Sequence, residues 1–153
     1  MAAPIAIDAS VVVRYLTGDE KTQSAAATEL FRAAQAGKVK LVIPASTIQE
    51  TVYVLERLYN LDPATIAPKL ISLLTVHNVD SPDSDWVVEA LQLYREKNSD
   101  FGDAMLCAYA GWAGCEVATF DKGMLKKFSE VTTYTPTDWL AGKRPGKTKE
   151  QQN

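Results

Sequence analysis

Apolar residues in this chain fall into two kinds of pattern. Short runs such as Pro4–Ile7, Lys40–Ile43 and Val117–Phe120 are bounded by polar or turn-forming residues, as buried strands are. Val76–Val79 and Val131–Tyr134 are further candidates of this kind. Between the runs, apolar residues recur every three or four positions, which gives a helix one buried face. Examples are Val11, Val12, Tyr15 and Leu16; Ala26, Leu30, Phe31 and Ala34; Val52, Leu55, Leu58 and Tyr59; and Trp86, Val87, Ala90, Leu91 and Tyr94. Gly37 and Gly114 stand where two of these helices should stop. Asp62-Pro63 is an N-cap followed by proline at N1, opening a helix through Ile66, Leu70 and Leu73. Pro68 lies inside that pattern and predicts a kink or an early break. Gly123–Phe128 and Pro136–Ala141 read as short helices. Strands alternating with helices predict an α/β fold with a mainly parallel sheet.

One helix organises the rest. Asp100–Ala110 opens with two carboxylates spaced i, i+3 and continues as an almost wholly apolar run of mainly small residues. Such a helix belongs inside the fold, so its first turn carries Asp100 and Asp103 to the edge of the core. Asp121 follows the run Val117–Phe120, and Asp8 follows Ile5-Ala6-Ile7. Glu50 is expected in the first turn of the helix that begins near Ser46. In a parallel sheet, strand C-ends and helix N-termini share the rim where ligands bind. The topology therefore directs all four acids, Asp8, Glu50, Asp103 and Asp121, to one edge.

Each acid also has a purely structural reading. Thr47 with Glu50, and Asp100 with Asp103, have the spacing of a capping box, and Asp8 is placed to cap the helix after it. Taken as a set, carboxylates on one partly buried rim repel one another unless a cation neutralises them. Magnesium suits hard oxygen ligands and retains waters and phosphate oxygens. Acids with a bound cation are equipment for phosphodiester hydrolysis.

Composition narrows the field. The 153 residues make one domain, 46% hydrophobic and 23% charged, with a net charge of −3. Bulk charge cannot hold nucleic acid to such a chain, so any contact must be a local basic patch. His77 is the only histidine and is distant in sequence from the acids, which excludes a Ser-His-Asp arrangement and a zinc site. Cys107 reads as core and Cys115 as a strand-entry residue, neither of them chemical. With no signal peptide and no apolar span of membrane length, the expectation is a cytoplasmic protein.

Four blocks together resemble the PIN-domain ribonucleases, and among them the VapC-type toxins of type II toxin–antitoxin systems. They are Ile7-Asp8-Ala9-Ser10 with Val13-Arg14-Tyr15-Leu16; Gln49-Glu50-Thr51 with Val54-Leu55-Glu56; Asp100-Phe101-Gly102-Asp103-Ala104; and Thr119-Phe120-Asp121-Lys122. They stand in the family's order, and the resemblance runs from about Ile5 to Trp139. It implies a Rossmann-like α/β/α sandwich and an endoribonuclease dependent on Mg2+ or Mn2+. By the same resemblance Asp8, Glu50, Asp103 and Asp121 are the catalytic and metal-holding acids, with Ser10 and Thr119 as hydroxyl neighbours. Asp100 is a further acid, either a cap or an outer ligand. Ala9-Ser10 stands where many members have Thr-Asn, so the first hydroxyl position lacks a side-chain oxygen. Arg14, Lys122 and the basic residues of the tail (Lys143, Arg144, Lys147, Lys149) are candidates for RNA-backbone contacts.

The implied partners are an RNA substrate, a small DNA-binding antitoxin and a second copy of the chain. Val54, Leu58, Tyr59 and Leu61 are the expected uncovered face for such a helix or copy. Residues 1–141 are read as the PIN domain and 142–153 as a basic, disordered tail. Two other classes remain open on the residues alone: a catalytically silent PIN-like binding module, and a receiver-like signalling domain with an acidic magnesium pocket.

Overall fold

The computed structural model describes residues 3–143. Arg144, Lys147 and Lys149 of the basic tail lie outside the described residues. The chain alternates strand and helix: β1 Ile5–Ala6, α1 Ala9–Thr17, α2 Lys21–Gln35, β2 Leu41–Val42, α3 Ala45–Arg57 and α4 Pro63–Leu73. It continues with β3 Val79–Asp80, α5 Ser84–Lys97, α6 Phe101–Ala113, β4 Val117–Ala118, α7 Lys122–Lys127, β5 Thr133–Tyr134 and α8 Pro136–Leu140. Every strand pairing is parallel, and the strands form two ladders, β1-β2-β3 and β4-β5. The fold is α/β with a parallel sheet, consistent with the Rossmann-like α/β/α arrangement expected of it.

β2 is the central strand of its ladder, and Leu41 and the following Ile43 are fully buried. β1 departs from the expectation of a strand buried throughout. Ile5 is 40% exposed and Ala6 is exposed, because β1 has a hydrogen-bonded neighbour on its β2 side alone among the described residues. Only Ile7, just past the strand, turns into the core.

Two other expectations are corrected. The helix Pro63–Leu73 continues through Pro68 without a break. The amide that proline lacks would have met the carbonyl of Ala64, an exposed residue whose oxygen water can serve. The run from Val76 is a strand only from Val79. Asn78 sits in the left-handed region at φ 60, and its side chain donates to the Ala34 carbonyl (3.1 Å), so the preceding residues form a turn.

The hydrophobic core is continuous across the helices. Val12, Phe31, Ile48, Leu55, Ile66, Leu70, Leu91 and Tyr94 are all within 1% of full burial. α5 packs on α6, α4 on α5, and α1 on both α2 and α3. α3 also touches α6, which brings the N-terminal ends of those two helices together. No described helix is long and apolar enough to cross a membrane.

Candidate active site

The candidate acids stand in two groups. In the first, Asp8 ends the β1 segment and caps α1. Its Oδ2 accepts from the Ser10 backbone amide (3.0 Å) and from the Ser10 hydroxyl (2.5 Å). These donors hold the Asp8 carboxyl below its ordinary pKa, the Ser10 hydroxyl contributing most. Asp8 and Glu50 line one cavity of about 230 Å³, together with Ser10, Arg14, Val54, Leu58 and Tyr59.

Glu50 is not the capping residue its spacing suggests. It is the sixth residue of α3, in the second turn, and α3 has Pro44 at its N-cap with no side-chain cap bond. Thr47 turns elsewhere: its hydroxyl donates to the Ile7 carbonyl (2.9 Å), which ties the start of α3 to the end of β1 beside Asp8. The Ala45 amide is served from a distance by Asp83 Oδ2 (3.0 Å).

The second group stands at the N-termini of α6 and α7. Asp100 caps α6, its Oδ1 accepting from the Asp103 amide (3.1 Å), and Asp121 caps α7 by accepting from the Met124 amide (3.1 Å). Thr119 accepts the Asp121 amide on its hydroxyl (3.0 Å), which shapes the loop between β4 and Asp121. Both caps are followed two residues later by glycine. A Cβ at Gly102 would lie 3.0 Å from Asp100 Oδ1 and 3.5 Å from the Gln49 amide nitrogen, and one at Gly123 would lie 3.1 Å from Asp121 Oδ1. These glycines leave the carboxylates uncrowded. The same Asp-x-Gly spacing recurs at both helix starts.

The capping reading therefore divides the acids. Asp8, Asp100 and Asp121 each serve a helix end, whereas Asp103 and Glu50 make no cap bond. Asp103, half-buried, has its carboxyl raised above the ordinary value. Desolvation is the largest cause, followed by the charges of Asp100 and then Asp121, with Lys127 acting the other way. Asp103 thus shares a field with Asp100 and Asp121, and Asp8 shares a cavity with Glu50. Among the described residues, however, no three carboxylates converge closely enough to enclose a metal ion. The donor chemistry nevertheless fits Mg2+ or Mn2+: every candidate is a hard oxygen, and magnesium needs only one or two protein carboxylates.

Beneath the rim lies a brace that was not legible in the sequence. Tyr94 of α5 is fully buried, and its hydroxyl donates to the Glu56 carboxylate of α3. Its ring meets Phe101, the first residue of α6, edge to face at 5.2 Å. Burial, then the Glu56 bond and charge, push the Tyr94 hydroxyl far above its ordinary pKa, so it remains a donor. Tyr94→Phe should lower stability by about 1.5 kcal/mol, the loss of a hydrogen bond to a charged acceptor, as read by urea unfolding.

Other expected residues fall as follows. Arg14 donates to Gln23 (2.8 Å), Asp19 (3.1 Å) and Tyr59 (3.4 Å), so it pins α1 to its neighbours rather than standing free for phosphate. Tyr59 is half-buried and donates to Asp19 (2.6 Å), and Leu61 packs on the core. Of the expected partner face, Leu58 alone is strongly exposed, at 75%, and Val54 is half-buried. His77 lies in an exposed turn. Cys107 is buried, its thiol pushed up to about 11 by burial and by the Asp103 and Glu130 charges, and Cys115 is exposed; both are free.

Comparison with known proteins gives one family. The family model of the PIN domain matches residues 5–131. No curated protein matches the sequence. Among solved structures, the chain is similar to VapC20 of Mycobacterium tuberculosis, a toxin that cleaves the sarcin-ricin loop. That similarity has 21% identity and a TM-score of 0.37, and it covers 84% of this chain and 98% of that one.

Proposed function

The chain belongs to the PIN-domain family, and on that premise we propose that it is a divalent-metal-dependent endoribonuclease, the toxin of a toxin–antitoxin pair. The observation that carries the reading is the division of the acids. Asp103 and Glu50 lie in the first two turns of their helices with no cap to serve, and Asp103 is placed where its own charge is disfavoured. A fold accepts such a carboxylate when it has work other than stability. The nuclease unit comprises residues 1–141, with the basic tail 142–153 beyond it.

Asp8 and Asp103 would hold Mg2+ or Mn2+ most directly, with Glu50 and Asp121 completing the site. Such a cation supplies acidification of water and neutralisation of phosphate charge. The protein's part is positional. The Ser10 hydroxyl and amide fix the Asp8 carboxylate and keep it ionised, and Thr119 sets the turn that presents Asp121. The brace of Tyr94, Glu56 and Phe101 ties α5 to both α3 and α6. An antitoxin segment would act by covering the cavity that Asp8 and Glu50 share, where Leu58 and Val54 offer apolar contact. Homodimerisation is part of the same proposal.

Incubation of the purified chain with RNA tests the reading. Cleavage should appear with Mg2+ or Mn2+ and stop on addition of EDTA. Undiminished cleavage in excess EDTA would overturn it.

A further inference from the structure

An acidic rim on a chain of net charge −3 repels RNA, so a nuclease of this composition needs local cations to hold the strand. Four cations of the described fold are held in ion pairs. Arg14 pairs with Asp19, Arg32 with Glu29, Lys40 with Asp80 and Lys97 with Glu130. α7 differs. Lys122, Lys126 and Lys127 are all exposed, and none of them forms an ion pair among the described residues.

The helix geometry gathers these lysines. At 100° per residue, buried Met124 and the buried C-cap Phe128 face the core, and the three lysines spread over an arc of about 140° outside that face, with Lys127 at its flank. Asp121 caps this same helix, so the lysine arc begins at the acid rim. Gly123 falls within the same arc, between Lys126 and Lys127, and puts no side chain against the Asp121 carboxylate. Lys127 is held in place, its ammonium donating to the Asn98 carbonyl (3.3 Å), two residues before Asp100. It is also the cation whose field reaches Asp103.

We propose that Lys122, Lys126 and Lys127 form the surface of α7 that binds the phosphate backbone of single-stranded RNA and lays the strand along the acid rim. The inference rests on the ribonuclease reading and adds the substrate-holding surface to it. Backbone contacts carry no sequence information, so these lysines set affinity and register rather than choice of target.

The test is binding of a short fluorescently labelled single-stranded RNA to the full chain in EDTA, followed by anisotropy across a salt series. Each phosphate contact to a single strand contributes a slope of about −0.7 in log affinity against log salt. Replacing all three lysines with glutamine should therefore flatten the slope by about 2 and weaken low-salt binding roughly tenfold or more. The double variant Lys122→Gln/Lys126→Gln, which spares the Lys127 bond to Asn98, should lose about two-thirds of that slope. A control triple at exposed Lys21, Lys38 and Lys69 should leave both quantities unchanged. With Mg2+, the α7 triple should raise KM and leave kcat near wild type. An unchanged slope in the α7 triple, or equal losses in the control, would overturn the lysine surface while metal-dependent cleavage by wild type kept the nuclease reading. A wild type that neither binds nor cleaves RNA would remove both.

Discussion

Asp103→Asn is expected to lower RNA cleavage by at least about a hundredfold without making the protein easier to unfold. The two halves of that result have separate causes. Asparagine keeps the size and polarity of the side chain but not its charge, and charge is what a magnesium ligand must supply. Asp103 makes no cap bond, and its amide is served by Asp100, so α6 keeps its N-terminal hydrogen bonding in the variant. Asp8→Asn should cost activity similarly, and its fold is protected for another reason. Asparagine caps helices about as well as aspartate, so the bond from the Ser10 amide survives the exchange. Asp121→Asn is protected in the same way, and Glu50→Gln changes an exposed residue with no cap to lose. Single-turnover cleavage, paired with urea melts of each variant, measures both halves. An Asp103→Asn protein that cleaves at the wild-type rate would place Asp103 outside the site.

The predicted order of strands and helices was legible because period-2 and period-3.6 patterns are local. The positions of Asp8, Asp103 and Asp121 at a strand end or helix start followed from that order, whereas Glu50 falls one turn later than expected. What each carboxylate does there was not legible, because spacing does not distinguish a cap from a free acid. Thr47 and Glu50 have capping-box spacing, yet Thr47 spends its hydroxyl on the Ile7 carbonyl, a residue forty positions away. Asp83 caps α3 from across the fold, and Tyr94 meets Glu56 thirty-eight positions back, pairings that no window along the chain contains. Pro68 does not end its helix because the carbonyl it orphans belongs to an exposed residue that water can serve. Arg14 and Tyr59 were legible as surface residues near the site but not as partners of each other through Asp19.

Magnesium should stabilise wild type against unfolding by about 2.7 kcal/mol at a hundredfold excess over its dissociation constant, and that gain should shrink sharply in Asp103→Asn. The same variant without metal separates the two roles an acid can have at a helix start. Asp103 binds its proton more tightly in the folded chain than at the ordinary carboxyl value of 3.8, since desolvation and the charges of Asp100 and Asp121 oppose its ionisation. Its ionisation therefore costs folded-state stability. The cost is absent below the unfolded pKa and complete once pH passes the raised folded value. In EDTA at neutral pH, Asp103→Asn should then be at least as stable as wild type, with the difference closing as pH falls below the carboxylate range. Asp8 runs the opposite way. Its carboxyl is lowered by the Ser10 hydroxyl and amide, so it contributes stability above the ordinary value and loses it as pH falls through the lowered one. The competing effect at Asp103 is the α6 dipole, which favours an acid in the first turn by about 0.3–1 kcal/mol. If the dipole outweighed the desolvation and the two neighbouring charges, Asp103→Asn would melt lower by that amount in both buffers. Thermal melts of wild type and Asp103→Asn, with Mg2+ and with EDTA, across pH, decide between them. Equal losses with and without metal would mean that Asp103 serves its helix alone and that the carboxylates share no cation.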